Sequence, residues 1–372
     1  MINFYNIGKQ NQKFEKNFIK EFKKINKEGR YILGKNSEKF EKNFSKLTGS
    51  KYCIAVGNCL DAMRLSFEAY KKMNLLRDGD EVIVPANTYI ATILSISQSN
   101  LKPVLIDPDP KTFNINLDQV SKVFSNKTKA ILAVDLYGHP SDLLSLKRFA
   151  NKKKILLLED AAQAHGAKIG KKKIGSIADA TFFSFFPGKI LGALGDAGAV
   201  TTSNKKLKNI LISLRNYGED FYLNSADRKY KNKYIGFNSR LDEVQAVILN
   251  LKLKKFNEEL SKRNSIANYY LNNIKNKKIK LPIIKKNCTH AWHLFIIRCT
   301  KRDKLKKYLL KCKIKTMIHY PIPPHKQRAY KDFNHLKLPL TERLAKEVLS
   351  LPINTTIKKD ELKYIVNKIN NF

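Results

Sequence analysis

Lys189 stands in "FFPGKILGALGDAGAV" among apolar residues and glycines, unlike the lysines of "KEFKKINKEGR" or "NKKKI", which sit in charged, solvated runs. An amine in partly apolar surroundings is destabilised as the ammonium ion. Its pKa falls, and it becomes able to form a Schiff base. The plain alternative is a lysine whose stem packs while its head snorkels to water, and the neighbours must decide. Asp160 lies 29 residues earlier, at the end of the apolar run in "ILLLEDAAQAHGA", where an unpaired carboxylate would be costly and a cation should face it.

A Schiff-base lysine serving pyridoxal phosphate needs such a carboxylate to keep the pyridine nitrogen protonated. Gln163, three residues after Asp160, could bond the ring hydroxyl. A phosphate site needs N–H donors at a helix start. "VGNCLDAMRLSFEAY" offers one: Gly57 and Asn58 make a turn into an amphipathic stretch whose first amides, from Cys59 to Asp61, point outward. The same residues also read as an ordinary helix start, with Asp61 favouring the dipole. Ser184 could add a hydroxyl. Tyr89, in "PANTYIAT", is the candidate for stacking on the ring, with a core tyrosine as the alternative.

The elements that must position these residues can be read from apolar runs. "DEVIVPA", "KPVLIDPD", "KAILAVDLYG" and "KKILLLEDAA" each read as a short buried strand ending in a polar or turn residue, with helical segments between. This is the βαβ pattern of a mainly parallel sheet with helices on both faces. Ligands gather at the carboxyl ends of such strands, which singles out Asp107, Asp135, Asp160 and the segment after "ATFFSFF". From Asp242 a long stretch has apolar residues at helical spacing. "HAWHLFIIRC" and "KTMIHYPIPPH" then read as strands of a smaller α+β region. The expected division is residues 1–250 and 251–372.

Composition narrows the class. The formal net charge is +39, which would suit nucleic acid, an acidic membrane surface or a phosphorylated ligand. The lysines are spread along the whole chain, without a zinc finger, RNP motif or basic region feeding a heptad repeat. No nucleic-acid partner is therefore expected, only a positive field favourable to an anionic ligand. The five cysteines (Cys53, Cys59, Cys288, Cys299, Cys312) show no metal-binding spacing and are expected to be free thiols. His290 and His293 read as framework on a strand, and no metal is expected. Neither an apolar leader nor a run long enough to span a membrane is visible, so the expected location is the cytoplasm.

"LRDGDEVIVPANTYIAT", "DLYGHPSDL", "EDAAQAHGA", "SFFPGKILGALGDAGAV", "GFNSRLDEVQAVIL" and "IHYPIPPHKQRAY" resemble, in order and across nearly the whole chain, the DegT/DnrJ/EryC1/StrS family of sugar aminotransferases. The resemblance implies the pyridoxal-phosphate fold type I of aspartate aminotransferase: an α/β large domain with a mainly parallel sheet and a smaller C-terminal α+β domain. It also implies homodimers with shared active sites, and amination of nucleotide-linked keto-sugars with L-glutamate as donor and pyridoxamine phosphate as the intermediate form.

Carried over by position, Lys189 resembles the Schiff-base lysine, Asp160 the partner of the pyridine nitrogen and Gln163 that of the ring hydroxyl. Tyr89 resembles the stacking aromatic. Ser184 and the Cys59 and Leu60 amides beside Asn58 resemble the phosphate ligands, and Asn238 the asparagine that reaches the phosphate from the neighbouring subunit. His319, Tyr320 and His325 lie in the turn that the family brings to the mouth of the site, and Arg240 could meet a diphosphate. Relatives that dehydrate sugars carry histidine where Lys189 stands, so a lysine favours transamination.

Two departures bear on the substrate. Cys59-Leu60 replaces the Gly-Thr pair of many relatives, and Leu60-Asp61-Ala62 resembles enzymes that aminate C-3 of a dTDP-linked keto-6-deoxyhexose more than those that act at C-4. Phe186 stands where tyrosine is common, which removes a hydroxyl from the sugar's surroundings. The expected activity is formation of a dTDP-3-amino-3,6-dideoxyhexose, of galactose or glucose type, for a surface-glycan or antibiotic-type sugar. C-4 amination is the near alternative. A DNA-binding protein and a pyridoxal-binding regulator without turnover are the others.

Overall fold

The structure, a computed structural model, describes residues 1–220, 223 and 230–372. Its centre is a seven-stranded sheet formed by β1 (Tyr52–Val56), β2 (Glu81–Pro85), β3 (Lys102–Ile106), β4 (Thr128–Val134), β5 (Leu156–Asp160), β8 (Ala180–Ser184) and β9 (Gly198–Thr202). The spatial order is β1-β9-β8-β5-β4-β2-β3. Only β9 runs against the others, pairing antiparallel with both β1 and β8. The four runs read as strands from the sequence are β2 to β5. β1 and β9 were not among them; "GAVTT" carries little apolar bulk.

Side chains leave each strand alternately to the two faces, and both faces are covered. Val82, Val84, Leu132, Leu158 and Phe182 point into one core, while their neighbours Ile83, Ile131, Ala133, Leu157 and Phe183 point into the other. This two-sided burial is why these strands read as continuous apolar runs rather than alternating ones.

A third cluster gathers Ile266, Tyr270, Trp292, Phe295, Leu305, Leu349 and Ile365. It surrounds the pair β11 (Phe295–Arg298) and β12 (Val348–Leu351). Ile2, from the other end of the chain, belongs to it. A further small sheet joins β6 (Lys168–Ile169), β7 (Lys172–Lys173) and β10 (Cys288–Thr289).

Three local readings are corrected. The helical stretch after Asp242 is two helices, Glu243–Leu253 and Phe256–Asn273, with a break at Lys254 and Lys255. His290 and His293 precede β11 in irregular backbone, where Trp292 takes a left-handed φ of 53°. The His290 ring stacks on Trp292 at 3.8 Å and its Nδ1 accepts the Trp292 N–H, so it is framework, though not on a strand. "KTMIHY" forms no strand beyond an isolated bridge from Met317 to Ser350. No helix among the described residues is long and apolar enough to cross a membrane.

Candidate active site

The carboxyl ends of β5, β8 and β4 open onto a cleft of about 560 Å³, within the size range of small-molecule sites. Its walls include Asn58, Cys59, Leu60, Tyr89, Asp160, Gln163, Ser184, Lys189, His319 and Tyr320. Ten of the residues singled out in the sequence thus meet in one place, drawn from segments up to 262 positions apart.

Asp160 is the last residue of β5 and is buried. Its Oδ2 accepts the Thr92 hydroxyl at 2.8 Å and its Oδ1 the Ala162 N–H at 3.1 Å. Thr88 shares a 2.8 Å hydrogen bond with Thr92, so a short polar relay holds the carboxylate from behind. Burial pushes the Asp160 carboxyl above its usual range, against the pull of these two donors and of the Lys189 charge. Lys189 follows β8 through a tight turn. Gly192 there is irreplaceable by any bulkier residue, because a Cβ would strike the Pro187 carbonyl. Burial lowers the Lys189 ammonium pKa, and the nearby Asp160 charge opposes the shift. Among the described residues no hydrogen bond or ion pair claims its Nζ. A half-buried amine with a carboxylate nearby and no direct partner among the described residues is placed to react rather than to stabilise.

Across the cleft, Asn58 caps the helix Cys59–Lys72, its side chain accepting the Asp61 N–H at 2.8 Å. Asp61 in turn accepts from the Ser239 hydroxyl at 2.8 Å, which fixes the cap against the segment that carries Asn238 and Arg240. The Cys59 and Leu60 N–H groups find no acceptor among the described residues, as first-turn amides of a helix cannot within the helix itself. With Ser184 on the same wall they make a cradle for an anion.

Gln163 is held at both ends. Its Oε1 accepts the Tyr137 N–H at 2.6 Å and its Nε2 donates to the Tyr320 hydroxyl at 3.0 Å. Tyr320 in turn lies 5.3 Å from the Tyr89 ring, and Tyr89 is more than half exposed. Thr88, Thr92, Tyr5 and Tyr137 were missed as site residues. The threonines alone carried a usable signal, since i, i+4 spacing across a helix start lets two hydroxyls meet.

Other expectations fare differently. His325 is fully buried, its Nε2 sharing a 3.2 Å hydrogen bond with Glu342, and it does not reach the cleft. Burial against the Pro339–Glu347 helix makes it framework within this chain. Arg240 also lies outside the cleft, donating to Asn216 at 2.6 Å and resting on the Tyr217 ring at 5.1 Å. Asn238 is exposed and outside the cleft of its own chain. Asp107 caps the Pro339–Glu347 helix through the Leu340 and Thr341 amides, so its role at a strand end is structural. Asp135 lines the cleft, but its carboxylate holds the Ser141 N–H at 2.7 Å.

His319 shares a 2.7 Å hydrogen bond with Ser350, and the Tyr137 hydroxyl donates to its carbonyl at 2.6 Å. Burial, helped by the Lys189 charge, lowers its imidazole pKa from 6.5 to about 4. His319 therefore meets a ligand as a neutral ring. Between these two values the unfolded chain binds a proton that the folded chain refuses. Stability is thus lost as pH falls from about 6.5 through about 4. In the cofactor-free protein, His319→Gln is expected to flatten this part of the thermal-unfolding profile. An unchanged slope would show that the imidazole is not held neutral.

The donor set fits pyridoxal phosphate: a reactive amine, a buried carboxylate whose two oxygens each accept one hydrogen bond and keep a lone pair for another, an N–H cradle and a flat ring. Comparison with known proteins agrees. Residues 12–370 match the DegT/DnrJ/EryC1/StrS aminotransferase family. The chain is 43% identical to dTDP-3-amino-3,6-dideoxy-alpha-D-galactopyranose transaminase of Aneurinibacillus thermoaerophilus, over 100% of this chain and 99% of that protein. Among solved structures, Streptomyces venezuelae DesV in complex with a ketimine intermediate superposes with a TM-score of 0.93 at 33% identity, covering 100% of this chain and 98% of that one. NtdA of Bacillus subtilis, with bound cofactor PMP, gives 0.91 at 30% identity, covering 100% of this chain and 84% of that one. The chain belongs to the DegT/DnrJ/EryC1/StrS aminotransferase family and is an aminotransferase dependent on pyridoxal phosphate.

Proposed function

We propose that this chain works in the cytoplasm as a homodimer, moving the amino group of L-glutamate to C-3 of a dTDP-linked 3-keto-6-deoxyhexose. The product is a dTDP-3-amino-3,6-dideoxyhexose. The observation that carries the reading is the cleft itself, with the Lys189 amine, unpartnered among the described residues, and the buried Asp160 carboxylate on its walls. Likeness over the full length to the galactopyranose transaminase named above supports the choice of sugar.

Pyridoxal phosphate, when bound, supplies a carbonyl that accepts an amino group and a ring that draws electrons from the adjacent carbon. The rest is the work of this chain. The Cys59 and Leu60 N–H groups and the Ser184 hydroxyl would hold the phosphate. Tyr89 would lie against the ring, and Gln163, fixed by Tyr137 and Tyr320, would meet the ring hydroxyl. Asp160 would keep a proton on the ring nitrogen. Lys189 Nζ would act as the neutral base that takes the proton from the amino-acid carbon and, once protonated, as the acid that gives it back. The same residues would serve the glutamate and the keto-sugar halves in turn, so ping-pong kinetics are expected. In the dimer, Asn238 of one protomer reaches the phosphate in the other. Its exposure and its distance from its own cleft suit that role.

The test runs the reaction backward, with 2-oxoglutarate as acceptor and dTDP-3-amino-3,6-dideoxygalactose or a dTDP-4-amino-4,6-dideoxyhexose as donor. The 3-amino sugar should win in kcat/KM by about a hundredfold, because a pocket built around one polar group rejects its displaced isomer strongly. Preference for the 4-amino sugar would overturn the assignment to C-3. Exchange of the glutamate amino group with no sugar turnover at all would overturn the sugar reading.

A further inference from the structure

The first residues of the chain are tied to its last third. The Ile2 N–H donates to the Lys313 carbonyl at 2.8 Å, and the Lys315 N–H donates to the Ile2 carbonyl at 3.0 Å. Asn354 Nδ2 donates to the carbonyls of Asn3 and Phe4 at 3.2 and 3.0 Å. Phe4 is buried, packed edge-on against the Tyr5 ring at 4.6 Å and 5.9 Å from the His319 ring. The backbone is thus held from Ile2 to Phe4, directly ahead of Tyr5. Its phenol enters the cleft beside Lys189, Phe186 and Tyr320.

Gly188 marks where that phenol ends. A Cβ built on Gly188 would lie 3.8 Å from Tyr5 Cζ, the carbon that bears the hydroxyl, and 3.6 Å from Phe186 Cε1. Two aromatic rings therefore converge on one point next to the reactive lysine. Of the two, Tyr5 alone carries a polar group. Among the described residues no protein atom hydrogen-bonds to its hydroxyl, although the ring is half-buried. A half-buried hydroxyl without a partner in the protein, aimed into a binding cleft, is a hydrogen bond reserved for a ligand.

We propose that Tyr5 is a specificity-determining residue that donates its phenolic hydrogen bond to an oxygen of the sugar ring beside the carbon being aminated. The inference rests on the sugar-aminotransferase reading above. The cofactor is not its target, because the phosphate, ring-nitrogen and ring-hydroxyl positions are taken by the Cys59–Ser184 cradle, Asp160 and Gln163. Burial raises the phenol pKa above its usual value, with the Arg263 charge opposing, so the group stays a donor throughout the physiological range.

Tyr5→Phe keeps the ring and its packing on Phe4 and removes only the hydroxyl. In the reverse reaction with dTDP-3-amino-3,6-dideoxygalactose, its KM for the sugar should rise about tenfold with kcat within about twofold, as for loss of a uniform binding contact. Two further readouts separate contact from mere structure. The glutamate half-reaction followed on the bound cofactor, and the affinity for dTDP alone by calorimetry, should both match the wild type. An unchanged sugar KM overturns the proposal, as does a parallel loss in all three measurements. A wild type that exchanges glutamate but turns over no dTDP amino sugar overturns the underlying reading and this inference with it.

Discussion

Lys189→Ala is expected to lower turnover by about ten-thousandfold, the upper range for a side chain that transfers protons at the reacting carbon. The reason lies in what surrounds the amine. Burial destabilises its ammonium form, no hydrogen bond or ion pair among the described residues claims it, and the Asp160 charge nearby only partly restores it. Alanine removes the covalent anchor and the proton carrier at once. The check is borohydride reduction of the cofactor-loaded protein followed by peptide mass mapping, beside single-turnover kinetics with L-glutamate. The cofactor mass should be found on the peptide that holds Lys189 in the wild type and nowhere in the variant. Attachment at another lysine, or a variant that still exchanges the glutamate amino group at a tenth of the wild-type rate, would dismiss the assignment.

Asp160→Asn is expected to cost about a thousandfold in kcat, comparable to removal of a preorganised charge-stabilising group. Folding should survive, because the asparagine oxygen can still accept the Ala162 N–H while its Nδ2 donates to the Thr92 hydroxyl oxygen, which accepts in place of donating. Cofactor retention should also survive, since the anion cradle and Lys189 stay in place. A fall in kcat with cofactor stoichiometry preserved would assign Asp160 to the chemistry. A variant that simply loses cofactor, with near-normal kcat in the loaded fraction, would assign it to binding. Thr92 stands behind this effect as a positioning residue.

Much of this site could be read before any coordinates, for a physical reason. In a parallel sheet covered on both faces, buried strands are apolar runs and the ends of those runs are where polar residues can surface. Asp160 ends "LLLED", and Ser184 ends "ATFFS". Lys189 was conspicuous because it lacks the charged company kept by most of the 71 basic residues in the chain. Gln163 and Tyr89 were candidates by position, whereas the role given to Asn238 came from likeness to a family and would not have followed from spacing alone.

Other contacts left no trace in local sequence. His325 sits in the same turn as His319 and Tyr320, but one of the three points into the core because the Pro339–Glu347 helix covers it. Tyr5 carries no local signal, and nothing near it announces that Ile2 pairs with Lys313 and Lys315. Periodicity reports which face of an element is buried. It does not report which distant element does the burying.

That N-terminal clamp sets a schedule for synthesis. Asn3 and its partner Asn354 are 351 positions apart, so on the ribosome the first residues emerge long before the segment that fixes them exists. At about 5 to 20 residues per second the wait is tens of seconds. The sheet, with Asp160 and Lys189, can form in that interval, while the wall carrying Tyr5 stays loose until Lys313, Lys315 and Asn354 have cleared the exit tunnel. An interrupted nascent chain would then hold the reactive amine without the surface that selects its sugar.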